Sequence, residues 1–379
     1  MRNYCGRSRL TQHHIGELLV GRNRTSGLKR HPVPPNQFTN GGQASIECIT
    51  MDRDILIPAV VRDEVNRENI QMLIAQLEGR HDDTSREQLA GMKGIEEKLS
   101  KVSNPPMLLL GIGDQGNGRA IVSYGNPDTS RNVSAYVPGL GTTLNSDFAD
   151  GTLDRGLDTA KGAQRYDSSS AAIVWLGYDA PGIAGVGSTT SADNGAPAYS
   201  NFMDGIGATN ENKDPHITAI GHSYGSLTVG TAAKQGGGIP DTDDIILLGS
   251  PGVGVDKASD LNVGKGHVFV GSAGNDPVTW LPSKAQFAAG LMSGPLLGSL
   301  ADPGGDDIWF GKDPASEAFG ATRFRVSDGP LPFYLAGIDE GPTPAHSDYF
   351  TPEEDRASAK NIAKIVAGKS DSITTETPR

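Results

Sequence analysis

Ile217-Thr218-Ala219-Ile220-Gly221-His222-Ser223-Tyr224-Gly225-Ser226-Leu227-Thr228-Val229-Gly230 is the stretch on which the reading of this chain turns. Ile217–Ile220 is a short apolar run of the kind that forms a buried strand, and Ser226 onward begins a helix with small side chains facing that strand. Between them stands Gly-x-Ser-x-Gly. The five-residue string arises often by chance, but here a strand runs directly into it and a helix directly out. That context makes a sharp, strained turn that lifts the serine hydroxyl above the carboxyl edge of a sheet. Glycines two before and two after the serine let neighbouring backbones pass closely. Ser223 is the expected nucleophile, and the Tyr224 N–H the expected donor to an oxyanion.

Outward from this turn, short apolar runs alternate with helical or Gly-rich stretches. The predicted strands are Met107–Leu110, Ala120–Tyr124, Val133–Val137, Ala172–Leu176, Ile217–Ile220, Ile245–Leu248, His267–Val270 and Thr322–Val326. Helical patterns fall near Thr143–Gln164, Ser191–Ile206, Tyr224–Lys234 and Glu353–Val366. Strands separated by helix-length crossovers predict an α/β domain with a mostly parallel central sheet flanked by helices. The first two strands are joined by a short Gly-rich loop and read as a hairpin. Gly111-Ile112-Gly113-Asp114-Gln115-Gly116 spells a dinucleotide-binding GxGxxG, but a strand rather than a helix follows it, which removes the helix N-terminus that would hold a pyrophosphate.

Upstream, Ile57 to about Leu99 reads as two antiparallel helices, with Val61, Val65, Met72 and Leu77 near one face and Asp83 or Ser85 capping the second. Residues 1–50 differ in kind. They hold seven Lys/Arg and two acids, a net +5 against −12 for the whole chain, and are Pro-, Asn- and Gly-rich from His31 to Gln43. The expected organisation is a basic, poorly ordered extension over 1–50, a helical segment over 51–104, the α/β domain over 105–368 and a flexible tail over 369–379. The acidic balance of the chain disfavours nucleic acid as a partner. Cys5 and Cys48 are the only cysteines, so neither a disulfide framework nor a Cys-based zinc site is implied. The longest apolar run near the start, Leu18–Val20, is too short for a secretory signal, and no run of about 18 apolar residues predicts a membrane span. The cytoplasm is the default expectation for location.

A nucleophilic serine needs a base and an orienting acid, in the order Ser, Asp/Glu, His for this kind of turn. Of eight histidines, His13, His14, His31 and His81 lie before the α/β region. His216 precedes the elbow strand, His267 starts a strand, and His222 is expected to leave the turn in another direction. His346 follows the last strand, in Pro344-Ala345-His346-Ser347-Asp348, and is the expected base. Asp276 closes the strand Val268–Gly271 and its turn, with Pro277 holding it extended, and is the expected acid. Asp256, Asp306 and Asp307 are the rivals. A second oxyanion donor is expected from Val137-Pro138-Gly139-Leu140-Gly141-Thr142-Thr143, as the amide of Leu140 or Gly141, with a hydroxyl from Thr142 in reach. The acidic Asp302-Pro303-Gly304-Gly305-Asp306-Asp307 lacks EF-hand spacing and reads as a solvated turn. Val278–Gly320 is long for a connection and carries Trp280, Leu281, Phe287, Leu291, Met292 and Leu296, which suit either a cover over an acyl chain or a helix packed on the sheet.

Tyr136-Val137-Pro138-Gly139-Leu140-Gly141-Thr142-Thr143, Trp175-Leu176-Gly177-Tyr178-Asp179-Ala180-Pro181, Gly221-His222-Ser223-Tyr224-Gly225-Ser226 and Leu248-Gly249-Ser250-Pro251-Gly252 together resemble an actinobacterial α/β-hydrolase family long catalogued as domain of unknown function 1023. The resemblance runs from about Pro58 to about Val366. It implies an α/β-hydrolase fold, a triad on Ser223, Asp276 and His346, and activity like that of esterases or lipases. Residues 1–50 have no counterpart in it. The expected activity is hydrolysis of carboxylic esters, acyl or lipid-like esters among them, without metal or organic cofactor. Acyl transfer through the same acyl-enzyme, or a binding protein that has lost turnover, are the alternatives.

Overall fold

In the strand Ser170–Leu176 (β4), Ile173 and Trp175 face one side of the sheet while Ala172, Val174 and Leu176 face the other, and every residue of the strand is buried. An apolar run with no polar face requires cover on both sides. The computed structural model describes residues 56–284, 306–331 and 344–379, and it supplies that cover. The other strands of the main sheet are Met107–Gly113 (β1), Arg119–Tyr124 (β2), Asn132–Val137 (β3), His216–His222 (β5), Asp244–Leu248 (β6), Val268–Gly271 (β7) and Thr322–Arg323 (β10). A two-residue pair, Asp307–Ile308 (β8) and Gly311–Lys312 (β9), stands apart from it.

The sheet order is β1-β2-β4-β3-β5-β6-β7-β10. The first three strands are antiparallel neighbours and the rest run parallel. Thr190–Thr209 (α4) and Tyr224–Ala233 (α5) bury Tyr199, Met203, Ile206, Leu227 and Val229 against one face. Leu153–Gln164 (α3) and Arg356–Val366 (α7) bury Ala160, Ala163, Ile362 and Ile365 against the other. Because the parallel strands all point one way, the loops after β3, β5, β6 and β7 meet at one edge, where a ligand meets this kind of sheet.

Two upstream helices, Ala59–Leu77 (α1) and Asp83–Ser100 (α2), belong with residues 51–379 in one compact unit. The buried face of α1 differs from the expected one. Val61, Val65 and Met72 are half-buried, and Ala59, Arg62, Asn66, Ile70, Ile74 and Leu77 turn inward. The reason is the open edge of β1: Arg62 Nε donates to Leu110 O at 3.0 Å, Asn66 Nδ2 to Leu109 O at 3.1 Å and Arg67 to Met107 O at 3.0 Å, while Asp63 accepts from Leu109 N–H. A helix that satisfies the unpaired groups of an edge strand has to bury polar side chains. The cap of α2 is Asp82, one residue before the expected pair, accepting from Ser85 N–H at 2.9 Å.

β1 and β2 form the hairpin the pattern predicts, but β1 runs on through Gly113, so the first half of the GxGxxG string is strand and only Asp114–Gly118 makes the loop. The last strand is shorter than predicted, with Phe324 continuing it through a bond from its N–H to Val270 O and a bridge to Thr375. Residues 373–379 run back beside β10, and Arg379 reaches Ser272 at 2.7 Å and Asp313 at 3.1 Å. Residues 1–50 and the middle of the Val278–Gly320 segment lie outside the described residues. Its last part, from β8 to Phe319, packs against the loop after β6, with Phe310 N–H donating to Pro251 O.

Candidate active site

β5 ends at His222 and α5 begins at Tyr224, so Ser223 alone makes the turn. Its backbone, at φ 56° and ψ −133°, lies where a residue with a side chain is strained. The flanking glycines are required by contact. A Cβ on Gly221 would stand 2.4 Å from Ser226 Cα, and one on Gly225 would stand 2.1 Å from Val137 O. Ser226 Oγ donates to Ser223 O at 2.6 Å and lies 2.7 Å from Ser250 Oγ. Ser223 N–H donates to Leu248 O. The loop after β6 therefore braces the turn from one side.

Gly249 brings the acid and the histidine to the same place. A Cβ there would meet Asp276 Oδ2 at 2.5 Å and His346 Nδ1 at 2.9 Å. His346 Nδ1 lies 2.9 Å from both oxygens of Asp276, whose side chain is wholly buried. Asp276 also accepts from Val278 N–H at 2.9 Å and from the Tyr349 hydroxyl at 2.7 Å. Its backbone is extended ahead of Pro277, as the sequence predicts. Tyr349 O–H in turn accepts from Ala273 N–H at 2.9 Å. Burial, with Asp276 beside it, pushes the Tyr349 phenol well above its ordinary range and keeps its proton on. With Nδ1 of His346 donating to the carboxylate, Nε2 is left as the acceptor of a neutral ring.

The loop after β3 lies directly over the serine: a Cβ on Gly139 would stand 2.6 Å from Ser223 Cβ and 2.8 Å from Tyr224 N. Tyr224 opens α5, where the N–H has no partner within the helix. Tyr178 O–H, from the loop after β4, donates to Pro138 O at 2.7 Å and fixes the entry to this turn. Of the two amides expected as second donors, Leu140 and Gly141, that of Gly141 is already engaged with Pro181 O at 2.9 Å; the amide of Thr142, expected only for its hydroxyl, donates to Gly139 O. Leu140 is the remaining candidate.

The other candidates fall elsewhere. Asp256 and Asp307 lie at the β8–β9 pair, with Asp307 bridged to Lys312. His216 and His267 flank Asp244 at the amino ends of β5–β7, the edge opposite the serine. His222 does not simply leave the turn: its Nε2 lies 2.6 Å from His346 O, and the two rings pack 4.6 Å apart. Roles for His222, Tyr349, Gly249 and Ser250 are not readable in the sequence. The Leu-Gly-Ser-Pro-Gly string marks the last two without giving their contacts. Among the described residues no group of three or more His, Cys, Asp or Glu side chains is placed to hold a metal ion, and no helix is long and apolar enough to cross a membrane.

Residues 114–286 match a family model described as alpha/beta hydrolase. The chain is 34% identical over 244 residues to the uncharacterized protein Rv0963c of Mycobacterium tuberculosis, covering 58% of this chain and 90% of that protein. It is 30% identical over 267 residues to the uncharacterized protein Rv2079 of the same organism, covering 69% of this chain but only 39% of that longer protein. Among solved structures, a hyperthermophilic esterase from Pyrobaculum calidifontis is 13% identical over 81% of this chain and 97% of that one, with a TM-score of 0.39, a superposition too loose to argue from. The sheet order, the one-residue serine turn and the family match agree: the chain belongs to the alpha/beta hydrolase family.

Proposed function

We propose that this chain is a serine hydrolase of carboxylic esters, with Ser223 as nucleophile, His346 as general base and Asp276 as the acid that orients it. The observation that carries the reading is the strained Ser223 next to His222, whose ring packs 4.6 Å from that of His346, itself held 2.9 Å from Asp276. In the reaction, His346 Nε2 takes the proton of Ser223 Oγ as the oxygen attacks the ester carbonyl. Asp276 holds the imidazole in the tautomer this needs and stabilises the imidazolium. The N–H groups of Tyr224 and Leu140 receive the tetrahedral oxyanion. His346 then protonates the departing alcohol, and a water molecule, activated by the same histidine, frees Ser223 from the acyl group.

Substrates with apolar acyl groups suit the surface around this edge. Leu140 after β3, Ile183 after β4 and Trp280 after β7 are 42%, 86% and 48% exposed, and Leu281 and Leu331 are exposed as well. Large apolar side chains left in water around a reaction site favour an acyl chain over a polar one. Hydrolysis of p-nitrophenyl butyrate tests the reading: Ser223→Ala should fold normally and lose turnover by several orders of magnitude, and Asp276→Asn should lose about 10⁴-fold, as in serine proteases. Undiminished turnover in folded Ser223→Ala contradicts it.

A further inference from the structure

We propose that His222, the residue between the strand and the serine, is a positioning residue for this reaction, its imidazole N–H holding the main-chain carbonyl of His346 and so setting where the base stands relative to the nucleophile. The inference rests on the reading of Ser223 and His346 given above. His222 is buried, and its Nε2 lies 2.6 Å from His346 O. A carbonyl oxygen only accepts, so Nε2 carries the proton in this contact. The ring is clamped on its other sides by Tyr136, Tyr349 and Phe350, with centroids 6.5, 5.9 and 6.0 Å away, which leaves it one orientation.

The reach of this bond follows from the elements it joins. His346 sits in Pro344–Ser347 (α6), a single turn too short to hold its place by internal hydrogen bonds. Asp276 fixes the ring of His346 through Nδ1, and His222 fixes its backbone. His222 and Ser223 are adjacent in the chain, so one rigid strand end carries both the nucleophile and the anchor of its base. The charge state suits the role. Burial pushes the His222 imidazole well below its ordinary range, with the neighbouring His346 and Arg155 acting in the same direction, so a neutral ring faces the imidazolium that forms on His346 during attack.

The test compares His222→Leu, His222→Asn and His222→Gln with Ser223→Ala in the full chain, reading kcat and KM for p-nitrophenyl butyrate and the thermal midpoint. The amide nitrogen of Gln stands about where Nε2 stands, and that of Asn falls short of it. Leu and Asn should lower kcat by about 30- to 100-fold with KM within about 3-fold, the signature of a displaced base, and Gln should restore kcat to within about 5-fold of the parent. A histidine that only fills the core would lower the melting point without this split and without rescue by Gln. Parental kcat in folded His222→Leu, or Gln no better than Asn, overturns the proposal; should the Leu variant not fold, the Gln–Asn pair decides it. Loss of turnover in Ser223→Ala beside unaffected His222 variants removes the anchor alone, whereas persistent turnover in Ser223→Ala removes the reading beneath it.

Discussion

The carboxylate of Asp276 accepts three hydrogen bonds in a site closed to water: from His346 Nδ1, from Tyr349 O–H and from Val278 N–H. A buried carboxylate so satisfied has little freedom to turn, and that fixed plane keeps the imidazole aimed. Tyr349→Phe removes one donor from Asp276 and leaves Ala273 N–H without its acceptor. It should cost about 1–3 kcal/mol of stability in urea denaturation, together with a measurable fall in kcat; unchanged values of both would show that the hydroxyl is idle. At this scale the sequence is informative for side chains announced by local pattern. Ser223 stands in a strand-end motif and Asp276 in the turn just past another strand, while His346 is singled out as the histidine that follows the last predicted strand. Tyr349 has no such signature, because its partners lie 73 and 76 residues away along the chain. The contact made by His222 is unreadable for the same reason: the carbonyl its ring meets is 124 residues downstream.

Among the elements, the glycines at the crossing of the β3 loop and the start of α5 decide the geometry. Gly139 lies so close to the serine turn that a methyl group cannot enter without moving the loop or the serine. Gly139→Ala should therefore leave the fold intact at a cost of about 1–3 kcal/mol, while pulling the Leu140 amide away from the oxyanion and lowering kcat by about 10²–10³-fold. A parental kcat with the alanine in place would mean that this loop gives no donor. Strands are legible in sequence because both faces of a parallel sheet are covered, which leaves continuous apolar runs such as Ile245–Leu248. The face of α1 is not. Its inward Arg62 and Asn66 answer the carbonyls of an edge strand 48 and 43 residues on, and hydrophobic periodicity carries no record of that need.

Over the whole molecule, the C-terminal stretch ties together segments that flank the acid. Arg379 bonds Ser272 before Asp276, approaches Thr279 after it, and pairs with the mostly buried Asp313. Burial pushes the Asp313 carboxyl above its ordinary range, while Arg379 and Arg323 pull it back. Arg379→Ala should lower stability at neutral pH by roughly 1–3 kcal/mol, since the carboxylate would keep its desolvation and lose a partner. The sign with pH follows. Protonation relieves an unpaired buried carboxylate, so the gap between parent and variant should narrow as pH falls through the carboxylate range. Thermal unfolding at several pH values checks this, and a gap that widens on acidification contradicts it. This brace has no signature in the sequence, because Thr374–Arg379 is polar and unpatterned, and its order comes from β10 and the Asp313 loop.

The central claim, that Ser223 is a nucleophile activated by His346, is tested most directly by covalent labelling with a fluorophosphonate followed by peptide mapping. A fluorophosphonate needs both an activated serine and an oxyanion site, so reaction reports the assembled machinery without presuming a substrate. The folded full chain should acquire one adduct, on Ser223 in the peptide that contains Gly-His-Ser-Tyr-Gly, and labelling should be strongly slowed in His346→Ala. An unreacted Ser223 in folded protein, or an adduct on a different serine, would contradict it.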